Sequence, residues 1–303
     1  MADIIKIENL SKSYGQVKAV QNLSFKVKEG ELFAFLGVNG AGKSTTISVM
    51  CGTLLKDSGK VYIDGVDTDG DTDEIKRKIG VVFQNSVLDK SLSARDNLEH
   101  RAALYGITDK QFDDRLDQLI KLLDFKEFVD RPISKLSGGQ KRKIDIARAL
   151  IHNPKILILD EPTTGLDPQT RAKLWSVVES LRKNSGMTVF LTTHYMEEAA
   201  DADYVVIIDG GKIAAEGTPH ELKNIYTGDY VTVYGIDKEQ ADLLKLPYEE
   251  VAGAYRFAVP NTRAATELII SNPSLFNDYE VTKGKMDDVF LKVTGKNLTE
   301  DGQ

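Results

Sequence analysis

The chain is poor in the features that staple small or secreted proteins. Only Cys51 among its 303 residues is a cysteine, so no disulfide can form within the chain and the chemistry fits a reducing cytoplasm. No apolar run approaches the roughly 20 residues that a membrane-spanning helix needs. The start, Met1-Ala2-Asp3-Ile4-Ile5-Lys6, lacks the basic-then-apolar layout of a secretory leader. Any role at a membrane is therefore expected to run through a partner. Positive charge is also short. Lys and Arg number 39 against 46 Asp and Glu, a net charge of −7 with a pI near 5.3, which argues against nucleic acid or anionic lipid held by bulk charge. His100, His152 and His220 lie apart, without metal-ligand spacing. What the chain does have is apolar residues, 41% of the total. That is too many for a solvated polymer and enough, at this length, to bury a core. The length suggests two domains, or one large domain with an appendage.

The patterning is that of an α/β chain. Residues 31–36 (ELFAFL) are a continuous apolar run, as expected of a strand buried on both faces. A glycine-rich turn follows at 37–42, and a helix is expected from Lys43. Short strands are expected at 4–8 and 79–83, and Val61-Tyr62-Ile63 followed by Asp64-Gly65 reads as a hairpin edge. From about 91 to 151 the pattern turns helical, with Phe112, Leu116, Leu119, Ile120 and Leu123 on one face. The alternation returns with a buried strand at 156–159, then a helix with Asp167 as N-cap and Pro168 at its first position. Strands at 188–191, 204–208 and 212–215 follow, and Thr218-Pro219 caps a short helix.

Beyond Tyr226 the order is strand 230–234, helix 237–244, strands around 251–259, helix 262–271, strand 279–282 and helix 286–293. It suggests a small ferredoxin-like α+β domain. The division expected is 1–226 and 227–303, with a helical subdomain at about 88–150. Met286, Val289, Phe290 and Val293 make an amphipathic stripe, and Asp287 and Asp288 favour that helix's N-terminus. No catalytic constellation is visible in this tail. Cys51, on the helix after the glycine turn, and Trp175, with Leu174, Val178 and Leu181, are expected to pack inside.

Three motifs carry chemistry. Gly37-Val38-Asn39-Gly40-Ala41-Gly42-Lys43-Ser44 matches G-x-x-x-x-G-K-[ST] between a buried strand and a helix. Its glycines let backbone N–H groups turn inward as a nest for phosphate oxygens, and the helix aims its positive end at the same anion. Lys43 would reach the β and γ phosphates, and the Ser44 hydroxyl would ligate Mg²⁺. A plain glycine turn is the competing reading, and the strand–helix setting weighs against it. Next, the apolar run at 156–159 ends in Asp160-Glu161, at the strand end where parallel α/β sheets open their ligand sites. Asp160 is placed to hold Mg²⁺ through water and Glu161 to orient or deprotonate an attacking water. Third, Leu136-Ser137-Gly138-Gly139-Gln140 opens a helix and offers a second anion-binding end. Taken alone it would be only a serine-capped turn.

In this order the motifs resemble the nucleotide-binding domain of the ATP-binding cassette (ABC) family, over about residues 1–222. The resemblance implies an α/β P-loop NTPase domain of ABC type, with a mixed sheet, a helical subdomain and a small antiparallel β subdomain, here followed by the α+β tail. It implies ATP and Mg²⁺ as ligands, with ATP on Gly37, Val38, Asn39, Gly40, Ala41, Gly42, Lys43, Ser44 and Thr45 and its adenine on Tyr14. Ser44, Gln84 and Asp160 would be metal ligands; Glu161, Gln84 and the switch histidine His194 would form the catalytic set. Leu136, Ser137, Gly138, Gly139 and Gln140 would meet ATP held by a second copy or paralogue, and Asp167 would be the D-loop aspartate. The implied partners are integral membrane permease subunits, at the cytoplasmic face of the membrane, and no nucleic acid.

Residues 161–168 (EPTTGLDP), 193–199 (THYMEEA), and Leu88-Asp89, Leu92 and Asn97-Leu98 after Gln84 resemble the drug, antibiotic and lipid exporter branch. Residues 288–295 (DVFLKVTG) resemble the close of daunorubicin-resistance-type ATPases. Lys141-Arg142-Lys143 departs from the usual glutamine- or arginine-rich stretch, and is expected to change only the charge of an exposed helix face. A DNA-maintenance ATPase would need long coiled coils between Lys43 and Ser137, where no sustained heptads run. A ribosome-acting ABC protein usually carries two cassettes, and one is found here.

Overall fold

The computed structural model describes residues 2–296. The chain forms two compact units, one running through His194 and including Ile208–Ile213, the other made of Tyr195–Ile207 and the residues from Ala214 onward.

In the first unit, Asp3–Tyr14 pairs antiparallel with Val17–Lys28 on one side and Ser58–Ile63 on the other, with Val66–Asp67 at the edge. The near-strict alternation of buried and exposed residues along the second half of Val17–Lys28 marks a strand with one face on the core. A second sheet aligns Leu32–Leu36, Thr188–Thr193, Ile156–Asp160 and Ile79–Val82 in parallel, in that order. Its strands read as unbroken apolar runs because both faces are covered. Every residue of Leu32–Leu36 and of Thr188–Thr193 is buried. Phe25 of the antiparallel sheet meets Phe33, Phe35 and Phe190 of the parallel one, with ring centroids 5.2 to 6.2 Å apart.

The register brings the strand ends together. Leu36 lies opposite Thr193, Asp160 opposite Thr192, and Val82 opposite Leu159. The turn at 37–42, Gln84, Glu161 and His194 therefore all lie past the carboxyl ends of these parallel strands. The helices Ala94–Ala103, Asp109–Leu123 and Gly138–Leu150 form the helical part of this unit. Phe112, Leu116, Leu119 and Leu123 are buried as the spacing requires, while Ile120 at the stripe's border is half-buried. Cys51 closes the helix Lys43–Met50, and burial pushes its thiol up to about 12. Trp175 is half-buried, while its helical neighbours Leu174, Val178 and Leu181 are buried.

The second unit contains the βαββαβ order, with strands Asp229–Val233, Tyr248–Val251, Ala254–Val259 and Tyr279–Lys283 and helices Lys238–Asp242 and Thr262–Ser271. The third of these strands lies between the second and the first, and the fourth lies on the first's other side, all antiparallel. That is the ferredoxin-like arrangement. Val231, Val233, Phe257 and Ala265 are among its core residues. The helix Met286–Thr294 packs on Pro219–Tyr226 and Met196–Ala200, burying Met286, Val289 and Phe290. This packing is why the compact unit reaches upstream of residue 227.

Candidate active site

The glycine loop owes its shape to backbone geometry. Gly42, the N-cap of Lys43–Met50, sits at φ +111, and no side chain caps this helix. The helix's leading N–H groups thus stay available to an anion. A Cβ on Gly42 would stand 2.4 Å from the carbonyl oxygen of Ala19, so the position excludes every other residue type. The Lys43 side chain is buried, and its ammonium donates to the carbonyls of Gly37 at 2.6 Å and Val38 at 3.3 Å. Burial lowers its pKa, opposed by the nearby charges of Glu161 and Asp160.

The parallel strands deliver the acids. Asp160 accepts a hydrogen bond from the Thr192 hydroxyl at 2.6 Å, while burial pulls its carboxyl above the ordinary range. Glu161, only 8% exposed, adopts a left-handed backbone at φ +46, which costs a non-glycine residue about 1–3 kcal/mol. Its N–H donates to the Thr192 carbonyl at 3.0 Å. Its carboxylate accepts from Gln84 Nε2 at 2.9 Å and from the Thr164 hydroxyl at 3.4 Å. His194 Nδ1 lies 3.3 Å from the same oxygen, and Lys43 Nζ 3.9 Å from the other. Lys43, Gln84 and His194, far apart in sequence, thus converge on the Glu161 carboxylate. A cavity of about 250 Å³ opens here, lined by Asn39, Gly40, Gly42, Lys43, Ser44 and Thr45 with Gln84, Asp160 and Glu161.

Other expected residues lie outside this cavity. Tyr14 is half-exposed, with the Lys12 ammonium 5.9 Å from its ring centre. Ser137 caps Gly138–Leu150 reciprocally: its hydroxyl accepts from Gln140 N–H, and Gln140 Oε1 accepts from Ser137 N–H at 2.9 Å. Leu136 is buried and Gly138 stands in open space. A Cβ on Gly139 would come within 2.9 Å of Thr170, whose N–H and hydroxyl donate to Asp167, the N-cap of Pro168–Ser185. The motif opening at Ser137 and the Asp167 turn thus meet side by side.

One expectation is overturned. Lys141-Arg142-Lys143 is not wholly an exposed face, since Arg142 is 7% exposed and hydrogen-bonded through its guanidinium. Arg142, Asp145 and Ala149 are all buried at i, i+3 and i+7. That spacing marks the inward side of this helix. Thr192, which joins Asp160 to Glu161, is the other participant that motif reading passed over; its signal is a polar residue closing a buried apolar run.

The donors fit Mg²⁺. A hydroxyl, an amide and a carboxylate, from Ser44, Gln84 and Asp160, line one cavity. This oxygen set suits a hard cation carried in with phosphate rather than one held in a protein cage. Among the described residues no cluster of three or more His, Cys, Asp or Glu is placed for a metal.

An anion-binding loop, a carboxylate pair at the strand end and a second capped helix N-terminus together define a nucleotide-hydrolysing cassette. The sequence pattern described as "ABC transporter" matches residues 20–164. The chain is 36% identical over 310 residues to the Nod factor export ATP-binding protein I of Ralstonia nicotianae, covering 98% of this chain and 95% of that protein. It is 40% identical over 239 residues to the linearmycin resistance ATP-binding protein LnrL of Bacillus subtilis, covering 78% and 76% respectively. A solved dimeric ATP-binding cassette in a post-hydrolysis state with ADP and phosphate superposes with a TM-score of 0.65 at 31% identity, over 71% of this chain and 98% of that one. The chain belongs to the ABC transporter family, as an ATP-binding and ATP-hydrolysing cassette. The resemblance to the drug and antibiotic exporter branch holds, because relatives of this length carry export and resistance names.

Proposed function

We propose that the chain is the ATPase subunit of an ABC exporter. It pairs head-to-tail with a second copy or paralogue and drives separate integral membrane permease subunits from the cytoplasmic face of the cell membrane. No helix among the described residues is long and apolar enough to cross a membrane, so the spanning work falls to those partners. The observation that carries the reading is the convergence of Lys43, Gln84, Asp160, Glu161 and His194 at the mouth of the glycine loop.

In this reading the ATP phosphates rest on the backbone amides of the 37–45 loop and helix start, and adenine stacks on Tyr14. The Lys43 ammonium exchanges its loop carbonyls for the β and γ phosphate oxygens. Ser44, Gln84 and Asp160 would hold Mg²⁺, which would supply neutralisation of charge on the phosphates. Glu161 accepts the proton of the attacking water, Gln84 orients both, and His194 donates to the γ-phosphate. The partner chain closes the site with the helix end formed by its Leu136, Ser137, Gly138, Gly139 and Gln140, and Asp167 lies at the same junction. Neither half surrounds the γ-phosphate alone, so ATP joins the two chains and hydrolysis parts them. Residues 227–303 act as an accessory module beside the motif-bearing 1–226, and nucleic acid has no part.

The test is the mass of the complex in solution. With ATP, the Glu161→Gln chain is expected to run as a dimer by size-exclusion chromatography with light scattering. Adding Ser137→Arg, which sets a bulky cation against the shared phosphate, is expected to return it to monomer. A dimer that survives Ser137→Arg contradicts the head-to-tail arrangement.

A further inference from the structure

The buried guanidinium of Arg142 is the polar group that the chemistry above leaves without a task. It stands on the inward face of Gly138–Leu150, the helix that begins at the Ser137 cap. Its Nε donates to the carbonyl of Pro162 at 2.7 Å, one terminal nitrogen to that of Phe83 at 2.6 Å, and the other to that of Glu161 at 3.3 Å. Those carbonyls belong to the residue before Gln84, to Glu161 itself, and to the residue after it. Three residues further along the helix, Asp145 is 3% exposed and accepts from the Ser86 hydroxyl at 3.1 Å. One helix thus grips the chain on both sides of Gln84 and the backbone of Glu161, the two residues whose side chains meet at 2.9 Å.

We infer that Arg142, backed by Asp145, is a positioning residue that ties the Ser137 helix of each chain to its own Glu161 and Gln84. The inference rests on the reading in which Glu161 activates water and Ser137 meets ATP across the dimer. A planar guanidinium fixes three acceptors at set angles, which a lysine ammonium on a flexible stem does not reproduce. Glu161 also holds a left-handed backbone, a conformation that persists only when its surroundings over-determine it. Arg142 supplies that restraint from the carbonyl side and Thr192 from the N–H side. The Ser137 helix therefore cannot shift on engaging a phosphate without moving the base and the glutamine of its own site. Arg142 touches neither ATP nor water in this scheme. Its effect is on where Glu161 points.

The experiment compares Arg142→Lys and Arg142→Met in the full chain, measuring ATP turnover, the affinity for a fluorescent mant-ATP probe, and thermal melting. For both variants kcat is expected to fall at least tenfold while the mant-ATP Kd stays within twofold of the parent. Lysine should retain more activity than methionine. In the Glu161→Gln background, Arg142→Lys is expected to leave the ATP-bound dimer intact, because binding is untouched. Ser86→Ala, which removes the Asp145 contact and the long 3.5 Å acceptor for the Leu88 N–H while leaving Arg142 in place, guards against a folding defect and should lower kcat about threefold with Kd unchanged. Turnover of the Arg142 variants within twofold of the parent, alongside a collapsed Glu161→Gln, would overturn the inference and leave the underlying reading standing. So would a fall in kcat matched by an equal loss of mant-ATP affinity. A Glu161→Gln chain as active as the parent would instead remove the reading on which the inference rests.

Discussion

Replacing Gly42 by alanine isolates what the loop backbone contributes to nucleotide binding, and Gly40 provides the control. Both are left-handed, at φ +111 and φ +78, so an alanine at either carries a conformational cost of about 1–2 kcal/mol. Only Gly42 adds a collision, since its Cβ would sit 2.4 Å from the Ala19 carbonyl oxygen, whereas nothing lies within 4 Å of a Cβ on Gly40. That contact is with backbone, so no rotamer relieves it, and forced overpacking of this kind costs about 1–3 kcal/mol more. At about 1.4 kcal/mol per decade, Gly40→Ala is expected to weaken ATP binding about tenfold and Gly42→Ala several hundredfold. Titration with mant-ATP reads both affinities, and a thermal melt confirms that each variant is folded. Equal losses from the two alanines, or parent-like binding by Gly42→Ala, would refute the argument that backbone geometry at Gly42 shapes the site.

Lys43→Ala removes the buried cation at the loop, and a lost charge-assisted hydrogen bond of about 1.5–3 kcal/mol should lower Mg-ATP affinity tenfold or more in a calorimetric titration. Unchanged affinity would contradict the assignment. Phe290→Ala empties a fully buried position in the last described helix and should cost about 3–5 kcal/mol in a urea melt, while a loss under about 1 kcal/mol would contradict its packing. His152, stacked on Tyr105 with ring centres 4.0 Å apart, is pushed down to about 4, first by burial and then by Arg101, Arg115 and Arg148, against the raising effect of its hydrogen bond with Ile79. Below about pH 6.5 the unfolded chain takes up a proton that the folded chain refuses until about pH 4. Stability is therefore full above 6.5 and declines across that window, by something on the order of 1–3 kcal/mol. His152→Gln should flatten the fall in melting temperature between pH 7 and 4.5; an unchanged slope would show that other groups set it.

Much of this was legible in the sequence because the signals were local. ELFAFL and ILIL read as doubly covered strands for the reason the structure gives, a parallel sheet with both faces buried. Asp167-Pro168 and Thr218-Pro219 announced helix starts through side chains that accept the leading N–H groups. The tail's element order carried its strand arrangement, since a βαββαβ chain with short connections has few ways to close. The strand Val17–Lys28 escaped although Leu23 to Lys28 alternates apolar and polar in the sequence, because its first half breaks that alternation, with a left-handed step at Asn22 (φ +55) and a register shift against Asp3–Tyr14. Arg142 escaped for a different reason. A basic residue between two lysines reads as solvated, and only the three carbonyls it meets, from segments 20 and 59 residues away, justify burying it. The packing of Met286–Thr294 against Pro219–Tyr226 and Met196–Ala200 was likewise invisible, because long-range docking of one apolar stripe on another leaves no local mark.

The central claim is that Glu161, held among Gln84, Thr164 and His194, is the base that activates water while the 37–45 loop binds ATP. Single-turnover hydrolysis by Glu161→Gln, measured alongside its mant-ATP affinity, tests this most directly. The substitution keeps the size and hydrogen-bonding shape of the side chain and removes only its capacity to take a proton. Loss of a general base typically lowers the rate by about 10²–10⁴, so hydrolysis is expected to fall by that factor with affinity within twofold of the parent. A rate equal to the parent's at the same affinity would place the base elsewhere and contradict the account.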